Sequence, residues 1–203
     1  MKDRPSGYKQ KGIREYLLCE KCEGKIGVWE KYVKELLFDR APKGVDFFDR
    51  IEFHGVDYHK FKLFQLSLIW RMDVTSLDDF NAVNLGPRHS EHLRSMLDRC
   101  DPGEPYEYGC WLIHGACQIE EIGNAIVLPT SSPRKIMGHV CYRTVLGGFF
   151  WGFYVSSHMD QFTPEDIFMT KAGTLPVWKE NPQVRKFMQA MIQPLADKFA
   201  STQ

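Results

Sequence analysis

The chain has 203 residues, with 26 Lys and Arg against 26 Asp and Glu. A formal charge of zero excludes a protein that coats nucleic acid over its whole surface, because tracking phosphates takes a surplus of cations; it leaves room for a local basic patch. With 43% hydrophobic and 26% charged residues, the composition is that of a folded chain rather than a disordered one.

Residues 1–13 are polar, punctuated by Pro5, Gly7 and Gly12, and read as an extended arm. The segment Gly24 to Phe38 carries Val28 or Trp29, Tyr32, Val33, Leu36 and Leu37 at helical spacing. Glu30/Lys34 and Lys31/Glu35 are i,i+4 pairs on its wet side. Ala41-Pro42-Lys43-Gly44 stops it and marks the one internal boundary, between a module at 1–40 and a body at 45–203.

Phe47 to Phe53 is short and alternating, as a strand would be. Asp57 is placed to cap a second helix, whose body, Phe61 to Met72, is apolar around most of its circumference and so belongs at the centre of the fold. Ser76-Leu77-Asp78-Asp79 has the form of a capping box. A further helix is expected from Ser90 through Arg99, ended by Asp101-Pro102-Gly103.

From Tyr108 onward the texture changes. Trp111–Ile113, Ala125–Leu128, Ile136–Tyr142 and Phe149–Val155 are β-branched or aromatic runs between turn residues, with Gly147-Gly148 as a hairpin turn. The tail, Val184–Phe199, returns to helical spacing, interrupted at Pro194. The expected fold is α+β: a zinc-knuckle or treble-clef-like N-terminal part, a helical middle, and a C-terminal antiparallel sheet with a terminal helix.

No run of roughly eighteen apolar residues is present to span a membrane, so no membrane association is expected. The charged start has no apolar stretch behind it, unlike a signal peptide. Six cysteines without an export signal fit a reducing, cytoplasmic setting, where thiols are free or bind metal. Cys19 and Cys22 have the spacing that turns two thiolates toward one tetrahedral zinc ion; zinc needs four ligands and one CxxC supplies two.

Gln10–Glu23, built around Cys19-Glu20-Lys21-Cys22, together with Trp29-Glu30-Lys31-Tyr32, resembles the second half of a bacterial family related to the HNH, treble-clef endonucleases. Val56–Arg71 and Asp101-Pro102-Gly103 resemble it as well, so the likeness covers much of the chain. The resemblance implies a structural zinc held by two CxxC pairs, the first preceding this region together with a Ser-His-Ile-Ile-Pro stretch that carries the catalytic His. Here no CxxC and no His stands before Cys19, and Glu23 occupies a position that is often His in HNH nucleases. A carboxylate binds hard ions such as Mg²⁺, the ion expected in a full-length relative, yet cleavage also needs a His to activate water. Only the zinc-ligand role transfers, to Cys19 and Cys22.

The reading that follows is a non-catalytic or degenerate HNH-like protein, nucleic-acid-associated or regulatory, with a place in bacterial phage defence. The alternative is a fragment of an active metal-dependent HNH endonuclease whose catalytic His lies upstream of Met1. The first forty residues hold ten cations against seven acids, a local excess compatible with DNA or RNA contact through Lys9, Lys11 and Arg14. The remaining zinc ligands would come from upstream sequence, from distant residues, or from a protein partner or second chain.

Within the chain, Cys110, His114 and Cys117 have metal-like spacing, but a strand context favours a buried cluster. His54, His59, His89 and His92 are acid–base candidates; for His89 and His92 a solvated helix face is the expectation. Ser156-Ser157-His158-Met159-Asp160 reads as a polar loop, since a triad is assembled in space rather than from neighbours. Gly147–Tyr154 is rich enough in aromatics for a base-stacking platform, with sheet core the favoured use.

Overall fold

Trp151 lies at the centre of the protein, stacked on Phe61 with ring centroids 6.2 Å apart and met edge-on by Phe64 at 5.9 Å. Those two phenylalanines belong to the helix that the sequence marks as apolar all round. A computed structural model describes residues 15–39, 44–114, 133–136, 138–157, 167–182 and 186. Among them are three α-helices, α1 (Glu20–Lys34), α2 (Tyr58–Val74) and α3 (Gly86–Arg99). The strands are β1 (Val45–Asp46), β2 (Arg50–Phe53), β3 (Cys110–His114), β4 (Arg134–Ile136), β5 (His139–Leu146), β6 (Phe149–Val155) and β7 (Leu175–Lys179). The expected strand at Ala125–Leu128 and, apart from residue 186, the expected tail helix at 184–199 lie outside the described residues.

α2 is the hub. Asp57 caps it as expected, its carboxylate accepting from the Lys60 amide at 3.0 Å, and eight of its residues from Phe61 to Ile69 are buried. α1 buries the stripe Ile26, Trp29 and Val33, spaced three and four apart. Glu20 and Glu23 in its first turn and Lys31 and Lys34 in its last favour its dipole. It starts four residues before the expected Gly24, because Gly24 and Gly27 cost too little to stop a helix that packs well. α3 also starts four residues early, at Gly86, with Pro87 in its first turn, where a missing amide proton is harmless. It ends on Cys100, held left-handed at φ 53°.

The expected capping box gives way to a different start, with Leu77 at the N-cap position. The segment is a single 3₁₀ turn, Asp78–Phe80, with no side-chain cap. Ser76 turns instead to Glu15, donating its amide and hydroxyl to that carboxylate.

The seven strands form one sheet in the order β1-β2-β7-β3-β6-β5-β4. All neighbouring pairs are antiparallel except β3 with β7. The sheet is therefore mixed, and it recruits β1 and β2 from between α1 and α2. Gly147 (φ 59°) and Gly148 (φ 75°) make the predicted hairpin turn between β5 and β6. Expected as one strand, Ile136–Tyr142 is split by Gly138 at φ 83°, which turns β4 back onto β5. The helices cover one face of the sheet, through Leu112, Tyr142, Trp151, Phe153, Leu175 and Val177. The other face carries a smaller cluster of Cys141, Tyr154 and Phe168 with Trp111.

Candidate functional site

The first turn of α1 brings Cys19 and Cys22 together. Cys19 is the N-cap, with extended backbone (φ −72°, ψ 158°) and its carbonyl already accepting from the Glu23 amide at 2.9 Å. Cys22 is the third helical residue, where its side chain returns toward the N-terminus and the cap. The outer thiol, Cys19, is exposed and the inner one, Cys22, half-buried.

Cys19 makes no regular side-chain capping bond. The open amide of Cys22 and its S–H nevertheless favour a negative Cys19 sulfur, so that thiol is held below its ordinary range. Cys22 moves the other way. Its S–H donates to Cys19, and burial and the nearby Cys19 charge push its thiol up. The pair therefore has one sulfur disposed to carry charge and one disposed to keep its proton.

α3 holds this turn in place. Lys25, one turn on, donates to the Asp98 carbonyl at 2.9 Å, joining α1 to the end of α3. Beside the thiols lies a cavity of about 220 Å³, walled by Leu17, Leu18, Trp29, Trp70 and Leu97. Glu15 anchors the segment leading in: its carboxylate accepts from Thr75 and Ser76, and these bonds lower its acidity range, Ser76 contributing most.

Two sulfurs fit the preference of zinc for soft donors and fill half a tetrahedral shell. Among the described residues no group of three His, Cys, Asp or Glu stands close enough to hold a metal ion. Lys9, Lys11 and Arg14, the expected nucleic-acid contacts, lie outside the described residues, as do Cys117 and the His158–Asp160 part of the polar loop. Cys110 is buried against α2, where burial pushes its thiol well up, while His114 is exposed and edge-on to Phe149. The aromatics of Phe149–Tyr154 are buried, so they build core and offer no stacking platform.

Two arrangements were not foreseen. His89 and His92 do not simply face solvent. His89 pairs through Nδ1 with the Tyr108 hydroxyl and His92 through Nε2 with Glu107 Oε1, each at 3.0 Å. Tyr108 sits in the left-handed region at φ 48°, which aims its ring between them. No sequence signal links residues 89 and 92 to 107 and 108, since the turn after α3 does the joining.

The other is a larger cleft of about 560 Å³, with walls that include Val33, Phe38, Leu68, Leu146 and Trp151 and an Arg71–Glu30 ion pair of 2.8 Å at its edge. A π-helical turn, Glu35–Asp39, extends α1 and lays Phe38 against Gly147. Such a turn leaves no mark in hydrophobic spacing.

Comparison with known proteins finds no match: no family model, no curated sequence and no solved structure aligns with the chain. The described residues contain no helix long and apolar enough to cross a membrane.

Proposed function

We propose that this chain is a non-catalytic, HNH-like protein that associates with nucleic acid or regulates a partner, with Cys19 and Cys22 as half of a structural zinc site. One observation carries the reading: the two thiols share the first turn of α1, where the Cys22 amide favours the Cys19 sulfur in its charged form. A treble-clef zinc site uses just such a CxxC at the start of a helix, and the resemblance of Gln10–Glu23 to that family supports the same assignment. Bound there, zinc would cross-link α1 to whatever supplies the other two ligands; its chemistry is that of a staple.

Elemental analysis of the purified full chain tests the metal. Zinc is expected in the wild type and is lost in Cys19→Ser and Cys22→Ser. A folded wild type free of zinc after expression in zinc-supplemented medium overturns the reading. For the second part, gel-shift titration with single- and double-stranded DNA at low salt is expected to show binding. It weakens when Lys9, Lys11 and Arg14 are changed together to Ala. No strand cleavage is expected with Mg²⁺, and metal-dependent cleavage that survives purification would make the protein an enzyme instead.

A further inference from the structure

We propose that the missing half of the zinc shell is the same dithiol of a second copy, so that one zinc ion joins two chains across a two-fold axis. This rests on the half-site reading and names its partner. Three features of the surface point to it.

First, the ligand set is self-complementary. Cys19 and Cys22 supply two sulfurs at an accessible edge, and no third candidate ligand is grouped with them among the described residues. A second copy adds two sulfurs of the same kind, giving the four-thiolate tetrahedron that zinc takes in structural sites. A two-fold axis through the metal satisfies both chains at once and closes the assembly.

Second, knob and hole lie side by side. An isologous interface needs both on the same patch, since each chain must give what it receives. The hole is the cavity of about 220 Å³ beside the thiols, begun by Leu17 and floored by Trp29 and Trp70. Its neighbour Tyr16 projects with 104% of its reference surface exposed, the sort of amphipathic aromatic that anchors interfaces. Val28, on the same helix, leaves a further 56% of its surface open.

Third, the rim is electrically matched to itself. On the cavity rim Lys25 pairs with Asp98 and Arg94 with Glu91, while Glu20, Lys21 and Glu23 flank the thiols, so the patch carries both signs. A two-fold approach can set one chain's cations against its copy's acids, whereas a rim of one sign would repel its own copy.

Light scattering coupled to size exclusion, with zinc determined on the same peak, tests this on the full chain. The expected result is twice the single-chain mass with one zinc per two chains, falling to single chains on adding EDTA. Cys19→Ser and Cys22→Ser, checked for folding by circular dichroism, stay single and zinc-free; the EDTA arm needs no variant and stands if they misfold. Tyr16→Ala keeps the metal and raises the dimer dissociation constant by about tenfold or more. Single chains with one zinc each overturn the dimer and leave the half-site reading intact, its ligands then lying elsewhere in the chain. A folded, zinc-free wild type overturns both. A dimer indifferent to EDTA overturns the bridge.

Discussion

The indole of Trp111 lies across the α-carbon of Gly152 on the neighbouring strand: a Cβ built there would stand 2.0 Å from Cε2 of the ring. Gly152 is thus required for close approach rather than for turning. Gly152→Ala forces the indole off its seat and should cost about 1–3 kcal/mol, the range of overpacked cores. Urea denaturation measures it, and adding Trp111→Leu should recover part of the loss. Unchanged stability in Gly152→Ala would mean the ring moves freely.

Asp57 ties α1 to α2. Its carboxylate caps α2 through the Lys60 amide and pairs with the Lys60 ammonium at 2.9 Å, while its own amide donates to the Tyr32 hydroxyl of α1 at 2.7 Å. Asp57→Ala should lose about 1 kcal/mol of stability, and Asp57→Asn, which keeps a capping oxygen, clearly less. Equal losses would shift the weight from the cap to the ion pair.

Lys62 is a buried cation inside the core. Its ammonium donates to the carbonyls of Tyr108 at 3.0 Å and Pro105 at 3.2 Å, yet burial draws its pKa down to about 8. Unfolded, the same group titrates near about 10.4. Between those values the unfolded chain holds a proton that the folded chain has released, so this term makes stability rise with pH. Burial raises the Cys141 thiol and the Tyr154 phenol to about 12, which makes stability fall above their unfolded values. Lys62→Met removes the rising term and leaves those of Cys141 and Tyr154 in place. The stability difference, wild type minus variant, should therefore grow by about 1.4 kcal/mol per pH unit between roughly pH 8 and 10.4. Denaturation series at three pH values read this slope, and parallel curves would refute it.

Glu15 clasps Thr75 and Ser76 and thereby fixes the approach to Cys19. Its folded acidity is lowered, so the clasp is complete at neutral pH and opens as pH falls through the lowered value. Glu15→Ala should speed chymotryptic cleavage after Tyr16 and Leu17 at neutral pH. The wild type should approach the same rate in acid, read with an acid-tolerant protease. Equal cleavage of both proteins at neutral pH would show that the segment is held by Leu17 and Leu18 instead.

What could be read from the sequence was what local chemistry decides. Asp57, the all-round apolar α2, the Gly147-Gly148 turn and the β6 run each announce themselves within a few residues. The Cys19/Cys22 pair was legible for the same reason, since one helical turn sets its geometry. Long-range partners were not. Ser76 looks like a cap until Glu15 arrives from sixty-one residues away to take its hydrogen bonds. Leu175–Lys179 looks unlike a central strand because of Pro176. It succeeds there because pairing with β3 begins only at Val177, leaving the proline outside that ladder.

The position of β7 has a consequence during synthesis. β2 and β3 flank β7 in the finished sheet, yet both are made long before it. A nascent chain that has not reached Leu175 carries two unpaired strand edges facing a gap, each able to capture a stranger. Until Leu175–Lys179 emerges, the sheet is held open by its own missing middle. A ribosome-bound chain halted before Leu175 is the form of this protein most exposed to chaperones and to aggregation.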